Sequence, residues 1–144
     1  MSSGENAVAE AQALIADYFA AFNDRDITGM LSLLDDDVAH DINQGGREIG
    51  REAFKQFLIH MNRCYREEVG DLVIMVDGDG LRAAAEFTVR GTYEASDEGL
   101  PPARGQTYSL QAGTFFAIDG GRIARVTTCY NLKDWIAQVS SQVS

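Results

Sequence analysis

Residues 81–95, LRAAAEFTVRGTYEA, alternate between apolar and polar side chains, and no other stretch restricts the fold as severely. Leu81, Ala83, Ala85, Phe87, Val89 and Tyr93 fall on one side, with Arg82, Glu86, Thr88, Arg90 and Thr92 on the other. A period of two is that of a β-strand, and its apolar side has to be covered by other parts of the chain. DGDG at 77–80 is a hairpin signal that ties this strand to EEVGDLVIMV before it. QTYSLQAGTFFAI and RIARVTTCYNL form two more strands around DGG, so the C-terminal half reads as a four-stranded meander closed by a helical turn in KDWIAQV.

The cover has to come from the N-terminal half. Val8, Ala11, Ile15, Tyr18 and Phe22 recur at three- and four-residue steps, one stripe of a helix over 7–23. Asp26 is placed to accept from the free N–H groups of the next turn and so to start a short second helix in ITGMLSLL. DDVAHDI reads as a short strand and NQGG as a turn, after which Phe54, Phe57, Leu58, Met61 and Tyr65 return at helical spacing over 51–65. Helices first and strands after predict an α+β fold: a curved antiparallel sheet wrapped around a long N-terminal helix, with two further helices, in one domain over 1–144. The concave side of such a sheet leaves room for a pocket. SDEGLPPARG, which holds both prolines of the chain, is the irregular connection placed to overhang it.

Charge removes several function classes. Twelve basic against 22 acidic residues give a net charge of −10, which repels phosphate backbones and anionic lipid headgroups, so neither nucleic acid nor membrane is an expected partner. The N-terminal residues show no basic and apolar leader, and LVIMV is the longest aliphatic run, so a cytoplasmic location is expected. Cys64 and Cys129 belong to no ligand pattern and read as buried free thiols. His40 and His60 have no convergent partner in the sequence, so neither a metal nor a cofactor is expected, and DGDG lacks the glutamate that would complete a calcium loop.

DYFAAFNDRDITGMLSLLDDDVAHDI, GREIGREAFKQFL and DGGRIARVTTCYNLKDW, in that order, resemble the nuclear transport factor 2-like superfamily, and within it the SnoaL-like and ketosteroid isomerase-related branch, over residues 8–138. The resemblance implies a cone-shaped fold that hosts isomerases, dehydratases, polyketide cyclases, epoxide hydrolases and proteins without chemistry. The likeness of YFAAFNDRD to the isomerases' first-helix motif places Tyr18 at their oxyanion-hole tyrosine. It also places Asp41, after an acidic turn and a short strand, at their general base. Gly113 falls where they carry a second, protonated aspartate donor, and glycine offers no side chain to donate.

Moving a double bond next to a carbonyl needs a base for a carbon-bound proton, a donor for the enolate oxygen and a dry site. Tyr18 in its apolar stripe fits either a core tyrosine or such a donor, and Asp41 fits either a turn cap or the base. His40 has the opposite strand parity to Asp41, so only one of the two enters the cavity; Asp41 is the expected one. Strand parity taken from Gly113 and Val126 puts Ser109, Gln111, Thr128 and Tyr130 forward as substitute donors. Phe54, Phe57, Met61, Phe87, Val89, Phe115 and Val126, with Thr128 and Tyr130, would line a site for a small hydrophobic molecule bearing one or two oxygens. The opposite sheet face, with Arg82, Glu86, Arg90, Arg125 and Cys129, is the surface through which the resemblance implies a homodimer. Proton abstraction or isomerisation on a carbonyl compound is the first functional expectation, and a ligand-binding or interaction module, favoured by Gly113, is the second. Dehydratase or hydrolase chemistry recruiting Asn43, Asn62 or Arg63 is the third.

Overall fold

The computed structural model describes residues 3–142. The elements run α1 (Ser3–Asn23), α2 (Ile27–Ser32), β1 (Leu34–Asp41), β2 (Arg47–Ile49), α3 (Arg51–Cys64), β3 (Tyr65–Val76), β4 (Arg82–Tyr93), β5 (Thr107–Asp119), β6 (Arg122–Tyr130) and α4 (Leu132–Ser141). The strands form a single sheet in the order β2-β1-β6-β5-β4-β3, antiparallel throughout except where β1 lies parallel to β6. The α+β architecture, with a curved sheet and a long N-terminal helix, is the expected one. β2 is an addition: REI carries no apolar alternation, and its three exposed residues form a strand because NQGG folds them back onto β1.

The motif YFAAFNDRD has structural tasks at Asn23 and Asp26. Asn23 donates from Nδ2 to the carbonyl of Val69 at 3.0 Å and accepts from the Val69 N–H at 2.8 Å, fastening the end of α1 to β3. Asp26 accepts from the Gly29 N–H at 2.9 Å and caps α2. A Cβ at residue 29 would stand 2.2 Å from the Asp26 carboxylate, so the cap requires glycine there.

β3 changes its inward parity partway. Tyr65, Glu67 and Val69 turn inward; then Asp71, at φ 52, forms a bulge, and Leu72, Ile74 and Val76 turn inward instead. On β5 the inward residues are Tyr108, Leu110, Ala112, Thr114, Phe116 and Ile118. The interior divides into two apolar clusters. One joins Ile15, Tyr18 and Phe19 of α1 to Phe54, Phe87 and Phe116, and the other joins Cys64, Tyr65, Tyr93, Tyr108 and Leu110 to Trp135 of α4. Among the described residues no helix is long and apolar enough to cross a membrane.

Candidate functional site

A cavity of about 350 Å³ lies between α1, α3 and the concave face of the sheet, and it takes its wall from both apolar clusters. Tyr18, Phe19, Phe22, Phe54 and Phe57 line one part, while Tyr65, Leu110, Leu100 and Trp135 line another. The volume is of the order that encloses a small organic ligand. The loop between β4 and β5 forms part of the wall through Asp97 and Leu100. That loop is held down from beneath: the Asp97 N–H donates to the Tyr93 hydroxyl at 2.9 Å, and the hydroxyl donates to the Pro101 carbonyl at 2.6 Å.

Of the residues assigned to the lining from the sequence, Phe54, Phe57, Met61, Phe87, Val89, Thr128 and Tyr130 border the cavity, as does Tyr18. Two do not. Phe115 is 50% exposed on the outer sheet face, and Val126 is closed into the core beside Phe116. Phe115 fails because β5 presents its even-numbered residues inward, the reverse of the parity that the count to Gly113 suggested. Ser109 and Gln111 therefore point outward with Phe115, and the inward side chain next to Gly113 is Thr114. Its hydroxyl lies 3.2 Å from that of Thr128, paired across β5 and β6. A polar side chain thus enters the cavity wall one position on from Gly113.

Asp41 is not in the cavity, which corrects the expectation for the base. It accepts from Arg47 Nε at 2.6 Å and Arg47 Nη2 at 3.1 Å, and from the Thr127 hydroxyl at 2.6 Å. The hydrogen bonds from Arg47 and Thr127 hold its carboxyl well below the usual carboxylate range. A carboxylate so occupied and so acidic is a poor proton acceptor. His40, on the other face of β1, is the residue that lines the cavity. It is 4% exposed, and its ring lies 4.6 Å from that of Phe54 and 4.5 Å from that of Phe57. Its Nδ1 is enclosed without a partner among the described residues. Burial lowers the His40 pKa against the opposing pull of Glu48 and Asp41, so the ring is neutral at pH 7.

Tyr18 stands in the same cavity, edge-on to Phe19 and Phe116. Burial raises its pKa, so the phenol keeps its proton and can only donate or weakly accept. A second polar group of residues sits in the wall built by α3, β3 and the loop. Asp97 accepts from the Tyr65 hydroxyl at 2.7 Å and pairs with His60 Nε2 at 2.9 Å. Arg63 Nη2 lies 3.0 Å from His60 Nδ1 and can only donate, so the imidazole proton resides on Nε2 and points at Asp97. Glu67 accepts from the Tyr108 hydroxyl at 2.6 Å, and its burial raises its pKa. Gly91, opposite Glu67, makes this possible, since a Cβ there would come within 2.5 Å of the Tyr108 ring.

His60 does have convergent neighbours, contrary to the sequence reading. Its ring, the Cys64 thiol one helical turn on and the Asp97 carboxylate place ligand atoms within 4.8 Å of one another. A metal on Nε2 would shift the proton to Nδ1, against the Arg63 guanidinium, so the hydrogen bonding around the ring opposes that use. The alternation of polar and apolar residues along β5 could have found Thr114. Asp97 lies in an irregular loop, and no periodicity marks it.

Comparison with known proteins yields one family and one group of close structural relatives. The sequence pattern of the SnoaL-like domain matches residues 15–126. A provisionally named polyketide cyclase from Xanthomonas campestris is 51% identical, with a TM-score of 0.90 over 92% of this chain and 98% of its own. One from Pseudomonas putida, similarly named, is 58% identical, with a TM-score of 0.89 over 90% of this chain and 97% of its own. An epoxide hydrolase of the LEH-like type from M. tuberculosis, at 18% identity and a TM-score of 0.74 over 93% of this chain and 92% of its own, shares the fold. No functionally curated protein matches the chain.

Proposed function

Because the chain belongs to the SnoaL-like domain family, within the nuclear transport factor 2-like superfamily, we propose that its cavity enolises a small, mostly hydrophobic carbonyl compound, with His40 as the base. The observation that carries this reading is a 4%-exposed imidazole, unpartnered at Nδ1 among the described residues, in an apolar cavity that also holds the Tyr18 phenol. His40 takes a proton from the carbon next to the carbonyl, and the electron pair of that C–H bond moves onto the carbonyl oxygen. Tyr18 donates a hydrogen bond to the enolate oxygen as the charge develops, with the Thr114 and Thr128 hydroxyls as further donors. The imidazolium then returns the proton at another carbon, or the enolate carbon closes a ring on a second carbonyl of the same molecule, whose oxygen takes the proton from the imidazolium. Ring closure is the reaction type for which the similar bacterial proteins are named.

5-Nitrobenzisoxazole tests the base without knowledge of the natural substrate. A base removes its C3 proton, the N–O bond breaks, and a coloured cyanophenolate results. His40→Gln is expected to lower kcat/KM for this probe by about 100-fold or more, the scale of one positioned base. Asp41→Asn is expected to stay within about threefold of wild type, since a residue outside the cavity removes no acid–base term of that scale. An undiminished rate in His40→Gln refutes the assignment.

The outer sheet face supports a second-copy contact. Met75, Ala84 and Phe115 form one cross-strand row, next to Val73, Glu86, Gly113 and Cys129 in another, and Val73, Met75 and Phe115 are each about half exposed. Light scattering on wild type and Phe115→Arg tests the pairing: a dimer converted to a monomer is expected, and a wild-type monomer excludes it.

A further inference from the structure

Beyond the polar groups near His40, the cavity also borders Asp97, Tyr65, His60 and Glu67. Asp97 is a carboxylate with about four acceptor positions, of which Tyr65 and His60 occupy two. Asp97 borders the cavity, so its remaining acceptor capacity is open to a donor bound there. Both partners of Asp97 are donors, the tautomer of His60 being set by Arg63, so a ligand atom meeting this carboxylate must itself donate. Glu67 adds a second acidic oxygen to the same wall and already receives the Tyr108 hydroxyl. A ligand carboxylate brought here would meet acceptors and like charge, while an apolar group would leave the remaining acceptor positions of the half-buried Asp97 unfilled.

Resting on the reading of the cavity given above, we infer that the substrate is bifunctional: its carbonyl lies toward His40 and Tyr18, and a hydroxyl or amine at its far end donates to Asp97. The cavity thus selects hydroxy- or amino-carbonyl compounds and rejects carboxylic acids. Asp97 is a binding residue in this scheme and takes no part in the proton transfer.

Three matched probes test the inference by fluorescence titration at pH 6: 6-acetyl-2-naphthol, its methyl ether, and 6-acetyl-2-naphthoic acid. They share a ketone on the same ring system and differ in the far group. Wild type is expected to bind the naphthol about 10-fold more tightly than the ether, the scale of one hydrogen bond to a charged acceptor, and the acid most weakly. Asp97→Asn is expected to reduce that preference to about threefold or less, with a smaller effect on the ether, because the amide carries no charge and keeps only one of the two acceptor oxygens. Equal wild-type affinities for naphthol and ether overturn the inference, as does tight binding of the acid or a full preference in Asp97→Asn. These outcomes differ from failure of the base assignment, which the benzisoxazole rate reads in His40→Gln. Absence of binding by all three probes overturns the inference and leaves the base assignment to the benzisoxazole rate.

Discussion

His40 and Asp41 stand back to back on one strand, the imidazole in the apolar cavity and the carboxylate on the outside between Arg47 and Thr127. Adjacent residues of a strand face opposite ways, so one of them had to be excluded from the cavity. Desolvation and partnering then give them opposite chemistry: the inner group has lost water and kept its lone pair, and the outer one has its oxygens engaged.

The pH dependence of stability separates the two. Burial lowers the folded-state pKa of His40, so below about 6.5 the unfolded chain takes up a proton that the folded chain refuses, and stability is lost as pH falls from there toward the folded value. Urea midpoints are expected to drop between pH 7.5 and pH 5 by more in wild type than in His40→Gln. Equal drops would remove His40 as the cause.

For Asp41 the window is lower. Its folded pKa is depressed by the bonds from Arg47 and Thr127, so its contribution is full above the unfolded value of about 3.9 and is lost as pH falls from there toward the much lower folded value. Asp41→Asn is expected to cost about 1 kcal/mol at pH 7, in line with a partly exposed ion pair, and less at pH 2.5, where the unfolded chain is already protonated. Chemical denaturation at the two pH values measures the difference.

Tyr18→Phe tests the phenol as a donor. Its hydroxyl has no protein hydrogen-bond partner among the described residues, so the substitution is expected to change stability by less than about 0.5 kcal/mol. Probe turnover is expected to fall about 100-fold, the effect of one lost oxyanion donor. A large loss of stability with turnover retained would make Tyr18 a core residue only.

Asn23→Ala removes both halves of the clamp on Val69 and leaves a half-buried N–H and C=O of β3 short of partners. A loss of about 2 kcal/mol in unfolding free energy is expected, two side-chain hydrogen bonds at the usual net value. Asp24→Ala, one position along, serves as the control in the same thermal melts.

The architecture was readable because each signal was local and physical. Ile15, Tyr18 and Phe22 mark a helix face by spacing, and Ala83, Ala85 and Phe87 mark a strand face by alternation. The site was read less well for reasons particular to each residue. His40 and Asp41 were correctly opposed by parity, but nothing in DDVAHDI says which side is inward; that depends on β1 lying against β6. Gly113 was located by counting along a resemblance, whereas the polar Ser109 and Gln111 against Tyr108 and Leu110 already mark even residues as inward. Phe115 inherited the same error. Asp97 meets Tyr65 and His60 only through the folding of an irregular loop, and such contacts leave no period in a sequence.

The parallel contact between Leu34–Asp41 and Arg122–Tyr130 also governs assembly. It joins the first strand made to the last, and the first strand's other neighbour is three residues long. β1 therefore completes its pairing in the sheet only against residues more than 80 positions further along the chain, and closing such a contact is slow compared with forming a helix. The wall that bears His40 thus rests on the strand pairing of greatest sequence separation in the sheet.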